Sequence, residues 1–99
     1  RARLITPARA EAKSAAHWYD SEQPGLGEDF LLALDAALEI IERDPRRFAR
    51  VETVRTTRDI HRIPLARFPF YVIYEIKVNE VVVLAVAHAK RRPGYWLKR

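Results

Sequence analysis

A chain of 99 residues with 48% hydrophobic and 31% charged side chains and no cysteine is one domain's worth of sequence, residues 1–99. This excludes a disordered, collagen-like or disulfide-stapled protein and fits a reducing, cytoplasmic setting with no membrane partner, since the longest apolar stretches, FPFYVIY at 68–74 and VVVLAVA at 81–87, fall far short of the roughly 20 residues a membrane helix needs. The formal net charge of +5 hides a division: residues 1–44 hold five Lys and Arg against nine Asp and Glu, whereas residues 45–99 hold thirteen against four, so the second half carries a positive field that draws polyanions or an acidic protein.

Residues 3–6, RLIT, are short and β-prone. Thr6-Pro7 then makes a helix start, with a hydroxyl to cap the first turn and a proline whose missing N–H costs nothing there. Ala8, Ala12, Ala15, Ala16 and Tyr19 follow at three- and four-residue spacing, giving a helix with one thin face that can pack closely. Pro24, Gly25 and Gly27 in DSEQPGLG, 20–27, mark a turn between antiparallel helices, opened by Trp18 and Tyr19. The second helix is predicted from about Gly27 to Arg43, with Phe30, Leu31, Leu34, Ala37, Leu38 and Ile41 on one side and Glu28, Asp35, Glu39 and Glu42 on the other. Asp44-Pro45 ends it.

Residues 46–53, RRFARVET, have no periodicity, and Phe48 and Val51 are expected to anchor the segment under a sheet. The period then changes to two: Ile63 and Leu65 alternate with Arg62 and Pro64, and Tyr74, Ile76 and Val78 with Glu75 and Lys77, which predicts two strands separated by a turn at Phe68-Pro69. Tyr71 and Tyr74 fall on opposite faces. A turn at Asn79-Glu80, with asparagine supplying a positive φ, leads into the last strand, Val81 to His88. That strand is apolar on both parities, so it is expected to be central or covered on both faces. The fold class is α+β, a helical hairpin packed on a small antiparallel sheet with a cationic tail. The place of the first strand in the sheet does not follow from periodicity.

Taken in order, WYDSEQPGLGEDFLLALDAALEII (18–41), RFPFYVIYEI (67–76) and VLAVAHAKRRPGYWLKR (83–99) resemble the RelE/ParE superfamily of type II toxin–antitoxin toxins, in its ParE-like branch, over nearly the whole chain. Phe70 stands where a tyrosine is frequent. The resemblance implies a β-α-α-β-β-β fold, the same order that periodicity gives. It also implies a growth-inhibiting toxin neutralised by a ParD-like antitoxin, and a target that is DNA gyrase or the gyrase–DNA complex. For the RelE-like branch the target is instead messenger RNA on the ribosome.

Cutting RNA needs a base, an acid and cations where charge grows on the phosphate. The candidates are Arg62, His88, Arg91 and Tyr95. The third strand, FPFYVIYEIKV, has no arginine and the second no lysine, so the cation set of the RelE-like branch is incomplete. That favours a non-enzymatic poison. His88 is expected to close the core through a ring nitrogen bonded to a backbone carbonyl, and His17 and His61 to sit at the surface. Three scattered histidines offer no metal site, and no cofactor is expected. In the tail, Pro93 and Gly94 turn the chain so that Tyr95 and Trp96 can pack back on the sheet. Lys90, Arg91, Arg92, Lys98 and Arg99 remain as exposed, target-binding cations.

Overall fold

A computed structural model describes residues 2–99. Its elements are β1 (Ala2–Leu4), α1 (Thr6–Glu22), α2 (Leu26–Arg43), β2 (Ile60–Pro64), β3 (Phe70–Ile76) and β4 (Val81–His88). The sheet runs β1-β4-β3-β2, with β1 parallel to β4 and the other pairs antiparallel. The element order and the α+β class are as expected. Only the parallel β1 is new, placed beside the strand farthest from it in the chain.

Ala8, Ala12 and Ala16 form the buried stripe of α1, and small side chains there let α2 approach closely. At Gly27, on the α2 side of the contact, an added Cβ would run into the Ala16 carbonyl oxygen and the Asp20 side chain. Asp20 Oδ1 accepts the Gly27 N–H at 2.7 Å, tying the two helices together. The turn is tighter than the sequence implied. Trp18, Tyr19 and Asp20 remain helical, Gln23 caps the end of α1, and Gly25 takes a φ of 90° that side chains avoid. At the other end of α1, Ile5 rather than Thr6 occupies the cap position and no side chain caps it; Pro7 lies in the first turn.

Phe30, Leu34, Ala37 and Ile41 of α2 bury themselves against Val72, Tyr74, Val83 and Val86 of the sheet. Tyr19, Phe30 and Phe68 close the end of this core with ring centroids 4.9–5.5 Å apart. The opposite sheet face carries a second core of Ile60, Ile73, Val82, Leu84, Ala85 and Ala87 under Trp96, which is 2% exposed. The protein therefore has three layers: helices, sheet, and a cover made of the 45–59 connector and the tail. This explains why Val81 to Ala87 are all buried.

The β3–β4 connection differs from expectation. Both strands stop early enough to leave a four-residue link, Lys77 to Glu80, closed by the Lys77 N–H donating to the Glu80 carbonyl at 2.9 Å. Val78 and Asn79 lie at its centre, Val78 is 98% exposed, and Asn79 has no positive φ. The alternation Tyr74, Ile76, Val78 runs past the last paired residue.

Candidate functional site

The sheet face away from the helices is only partly covered. Trp96, Val51 and Val54 roof its middle, whereas Arg62 and Pro64 of β2 and Tyr71 of β3 form an open floor. Residues 49–53 of the connector wall one side, and the tail turn at 91–95 walls the other. Two clefts of about 510 and 60 Å³ adjoin here and share Val51, Thr53, Arg62 and Tyr71.

Alternation along β2 sends Ile63 to the helical core and Arg62 to this face. The Arg62 guanidinium lies over the Tyr71 ring, 4.3 Å from its centroid. Across the cleft, Arg91 lies 3.8 Å from the centroid of Tyr95. Both guanidiniums are exposed, and among the described residues no carboxylate lies within ion-pair distance of Lys90, Arg91, Arg92 or Arg62. The flat cations are held by aromatic rings while their charge stays unneutralised.

The wall that carries Arg91 and Arg92 is fixed from two directions. Arg58, in the connector, makes a two-point contact with the buried Glu75 (2.8 and 3.2 Å) and donates to the Leu97 carbonyl at 2.7 Å and the Arg99 carbonyl at 3.4 Å. Its hydrogen bond to Glu75 holds the guanidinium's pKa above the ordinary arginine value. On the α1 side, both Glu11 oxygens receive Arg99 nitrogens at 3.0 Å, and Oε2 also accepts the Tyr95 hydroxyl at 2.8 Å. Burial first, and the bond to Glu11 second, push the Tyr95 phenol far above its ordinary value.

β1 pairs with β4 only at Val81 to Val83, so beyond that point the β4 edge has no strand beside it. The tail and α1 supply side chains instead. Arg99 Nη1 donates to the Leu84 carbonyl at 2.9 Å, and Glu11 Oε1 accepts the Val86 N–H at 3.0 Å.

The structure gathers all four ribonuclease candidates, Arg62, His88, Arg91 and Tyr95, around the narrow cleft. Two of their polar atoms are nonetheless committed. The Tyr95 hydroxyl points to Glu11, and His88 Nδ1 accepts the Lys90 N–H at 3.0 Å instead of donating to a carbonyl. His88 is half-buried against the edge of Phe70 rather than closing the core. Of the five expected target-binding cations, Lys90, Arg91, Arg92 and Lys98 are exposed. Arg99 is not a free cation, because it is spent on Glu11 and Leu84.

His61 is also a correction. It is buried at 5% exposure, with Nδ1 on the Phe48 carbonyl (2.6 Å) and Nε2 on Asp59 Oδ1 (2.8 Å). His17 is at the surface as expected. Tyr71 and Tyr74 do face opposite ways: Tyr71 toward the open cleft, Tyr74 into the helical core with its hydroxyl on the Pro45 carbonyl at 2.7 Å. The sequence reading missed Glu11 and Glu75. Glu75 did leave a signal, as the one acid on the parity of Tyr71 and Ile73; nothing in the pattern marks Glu11.

A separate apolar cleft of about 600 Å³ lies between α1 and the end of β4, lined by Ala15, Trp18, Tyr19, Phe70, Val86 and His88. Trp18 is 57% exposed there. Among the described residues no three His, Asp or Glu side chains converge as metal ligands, and no helix is long and apolar enough to cross a membrane.

A helical hairpin packs on one face of the four-stranded sheet and an unneutralised cationic wall borders the other, a small α+β architecture. The fold is similar to that of a solved structure of the chromosomal ParDE TA system from P. aeruginosa, with a TM-score of 0.75, 12% identity, and coverage of 90% of this chain and 95% of that one. No curated protein matches in sequence. The family model of the ParE toxin of type II toxin-antitoxin system, parDE, matches residues 3–93, and the chain belongs to that family.

Proposed function

We propose that this ParE-family toxin arrests growth by poisoning DNA gyrase through the cationic wall of its tail, and that a ParD-like antitoxin neutralises it. The observation that carries the proposal is the family match over residues 3–93, in a chain whose Lys90, Arg91 and Arg92 stand exposed and unpaired. The commitment of the Tyr95 hydroxyl to Glu11 and of His88 Nδ1 to the Lys90 N–H supports a binding poison over a nuclease, since these atoms are tied to the protein itself. The test is a supercoiling assay with purified gyrase, run beside translating ribosomes carrying a reporter transcript. Inhibition at stoichiometric toxin is expected, relieved by reversing Arg91 and Arg92 to glutamate in a protein that still folds. Intact supercoiling overturns the proposal, and cleaved transcript would assign the RelE-like activity instead.

The antitoxin is proposed to lay an amphipathic helix in the apolar cleft beside Trp18. Binding the native state alone raises its apparent stability by mass action. Equal melting temperatures with and without the antitoxin would count against that contact.

A further inference from the structure

His61 is buried, and both of its ring nitrogens face groups that can only accept. Nδ1 lies 2.6 Å from the Phe48 carbonyl oxygen and Nε2 2.8 Å from Asp59 Oδ1. Asp59 sits among cations as a carboxylate, since Oδ2 accepts an Arg46 N–H at 3.0 Å and Arg50 Nε lies 3.6 Å from Oδ1. A neutral imidazole has one N–H and one lone pair, which suits one acceptor and one donor. Two acceptors call for two N–H groups, so the ring sits here as an imidazolium. The face of Tyr74 supports that charge: the two rings are stacked, with centroids 5.6 Å apart and planes 19° from parallel.

Both acceptors belong to the 45–59 connector. Losing a proton turns a lone pair toward an oxygen, that of Phe48 if Nδ1 gives it up and that of Asp59 if Nε2 does, so one of the two contacts must open. The other charged and titratable groups around the ring are Arg46, Arg47, Arg50 and Asp59 of the connector, Asp44 just past α2 and Tyr74 of β3. The arginines keep their charge throughout the range in which an imidazole titrates. Burial, followed by the charges of Asp44 and Asp59, pushes the Tyr74 hydroxyl up to about 12, so it too goes on donating to the Pro45 carbonyl, at 2.7 Å. Above the acid range that protonates Asp59, His61 is therefore the group whose charge changes. Asp59 is fixed beside β2 by the Ile76 N–H on its carbonyl, at 2.9 Å, which leaves the Phe48 end to yield. Residues 49–53, which follow it, wall the wider cleft.

We infer that Phe48, His61 and Asp59 form a proton-operated latch: the doubly protonated ring holds residues 46–53 against β2, and loss of one ring proton releases the Phe48 end and with it one wall of the open cleft. The latch requires only this chain and is independent of the toxin's target.

The test is NMR of the purified chain with 15N-labelled histidine from pH 5.5 to 9.5, beside amide exchange at Arg47 and Val51, whose N–H groups donate to the Asp44 and Ile60 carbonyls. At the acid end both ring nitrogens of His61 should carry protons. As one is lost, protection at Arg47 and Val51, taken relative to the free-chain rate at each pH, should fall at least fivefold, while Leu34 and Ile41 in α2 change less than twofold. His61→Gln should abolish this step. Tyr74→Phe, which removes the hydroxyl from Pro45 but keeps the stacked ring, should lower protection by one factor at every pH and keep the step. If His61→Gln does not fold, Asp59→Asn, which takes away the counter-charge at Nε2, must move the step to lower pH. A single ring proton at pH 5.5, a ring still doubly protonated at pH 9.5, a connector equally protected after the proton is lost, or a step that survives His61→Gln would each overturn the inference.

Discussion

Glu11 is the residue on which most of the tail's order converges. One carboxylate accepts from the Val86 N–H, the Tyr95 hydroxyl and two Arg99 nitrogens, all within 2.8–3.0 Å. Side chains at this site are mostly but not fully covered, 17% exposed for Glu11 and 20% for Arg99, so the pair is neither a screened surface bridge nor a fully buried one. Removing the carboxylate leaves the Val86 N–H and the Tyr95 hydroxyl without their acceptor and the Arg99 guanidinium with the Leu84 carbonyl in place of its counter-charge. Glu11→Ala should therefore cost about 2 kcal/mol, and Glu11→Gln, which keeps one acceptor oxygen, about half as much. Urea unfolding of the three proteins measures this, and an unchanged midpoint for the alanine variant would show the tail to be independent of α1. None of this is legible in the sequence: Glu11 looks like an ordinary polar residue between alanines, and its partners lie 75 to 88 positions away.

At the scale of elements, the helical hairpin was readable because each of its causes is local. The alanine spacing, the Pro-Gly turn and the amphipathic face of α2 all act within a few residues of one another. The same locality makes a sharp prediction at Gly27. A methyl group there would strike the Ala16 carbonyl and Asp20, so Gly27→Ala should push the helices apart and cost about 2 kcal/mol, within the usual range for overpacking. Calorimetry on the variant decides it, and a gain in stability, as helix propensity alone predicts, would refute the close contact.

The 45–59 connector was unreadable for the opposite reason, since side chains rather than a repeating backbone pattern hold it. Burial alone would push the Asp59 carboxyl up, but hydrogen bonds from His61 and Arg46 outweigh it and hold it below the ordinary carboxylate value. A proton thus binds the folded state more weakly than the unfolded one. The stabilisation is fully present above about pH 4, the ordinary aspartate value, and is lost as pH falls through the lower folded value. Unfolding of the wild type and Asp59→Asn, compared from pH 6 down to pH 3, should show a difference that narrows across the acid end. A constant difference would mean that the carboxylate's charge contributes nothing.

For the whole molecule, the apolar character of β4 pointed to a strand central or covered on both faces, and the three-layer structure accounts for it. The acids of α2 line the outer helical side, and the unpaired arginines sit on the opposite face, so the chain's halves become the protein's sides. What the sequence could not supply was the place of β1, because pairing Ala2 to Leu4 with Val81 to Val83 leaves no short-range signal. Nor could it show how much of the second face the tail would cover. Trp96 bears most of that cover, seated at 2% exposure over Ile60, Ile73 and Ala85. Trp96→Ala removes a large buried side chain and leaves a space that the sheet beneath cannot collapse to fill, at a cost of about 3–5 kcal/mol. For a domain of this size that lowers the melting temperature by about 15 °C or more. Because residues 91–95 are the wall that carries Arg91 and Arg92, the same substitution should loosen the cationic surface while leaving α1 and α2 folded. Hydrogen exchange should then show faster exchange at residues 89–99 and along β4 than in the helices. Uniform exchange with an unchanged melting temperature would mean that the tail is an appendage rather than the third layer.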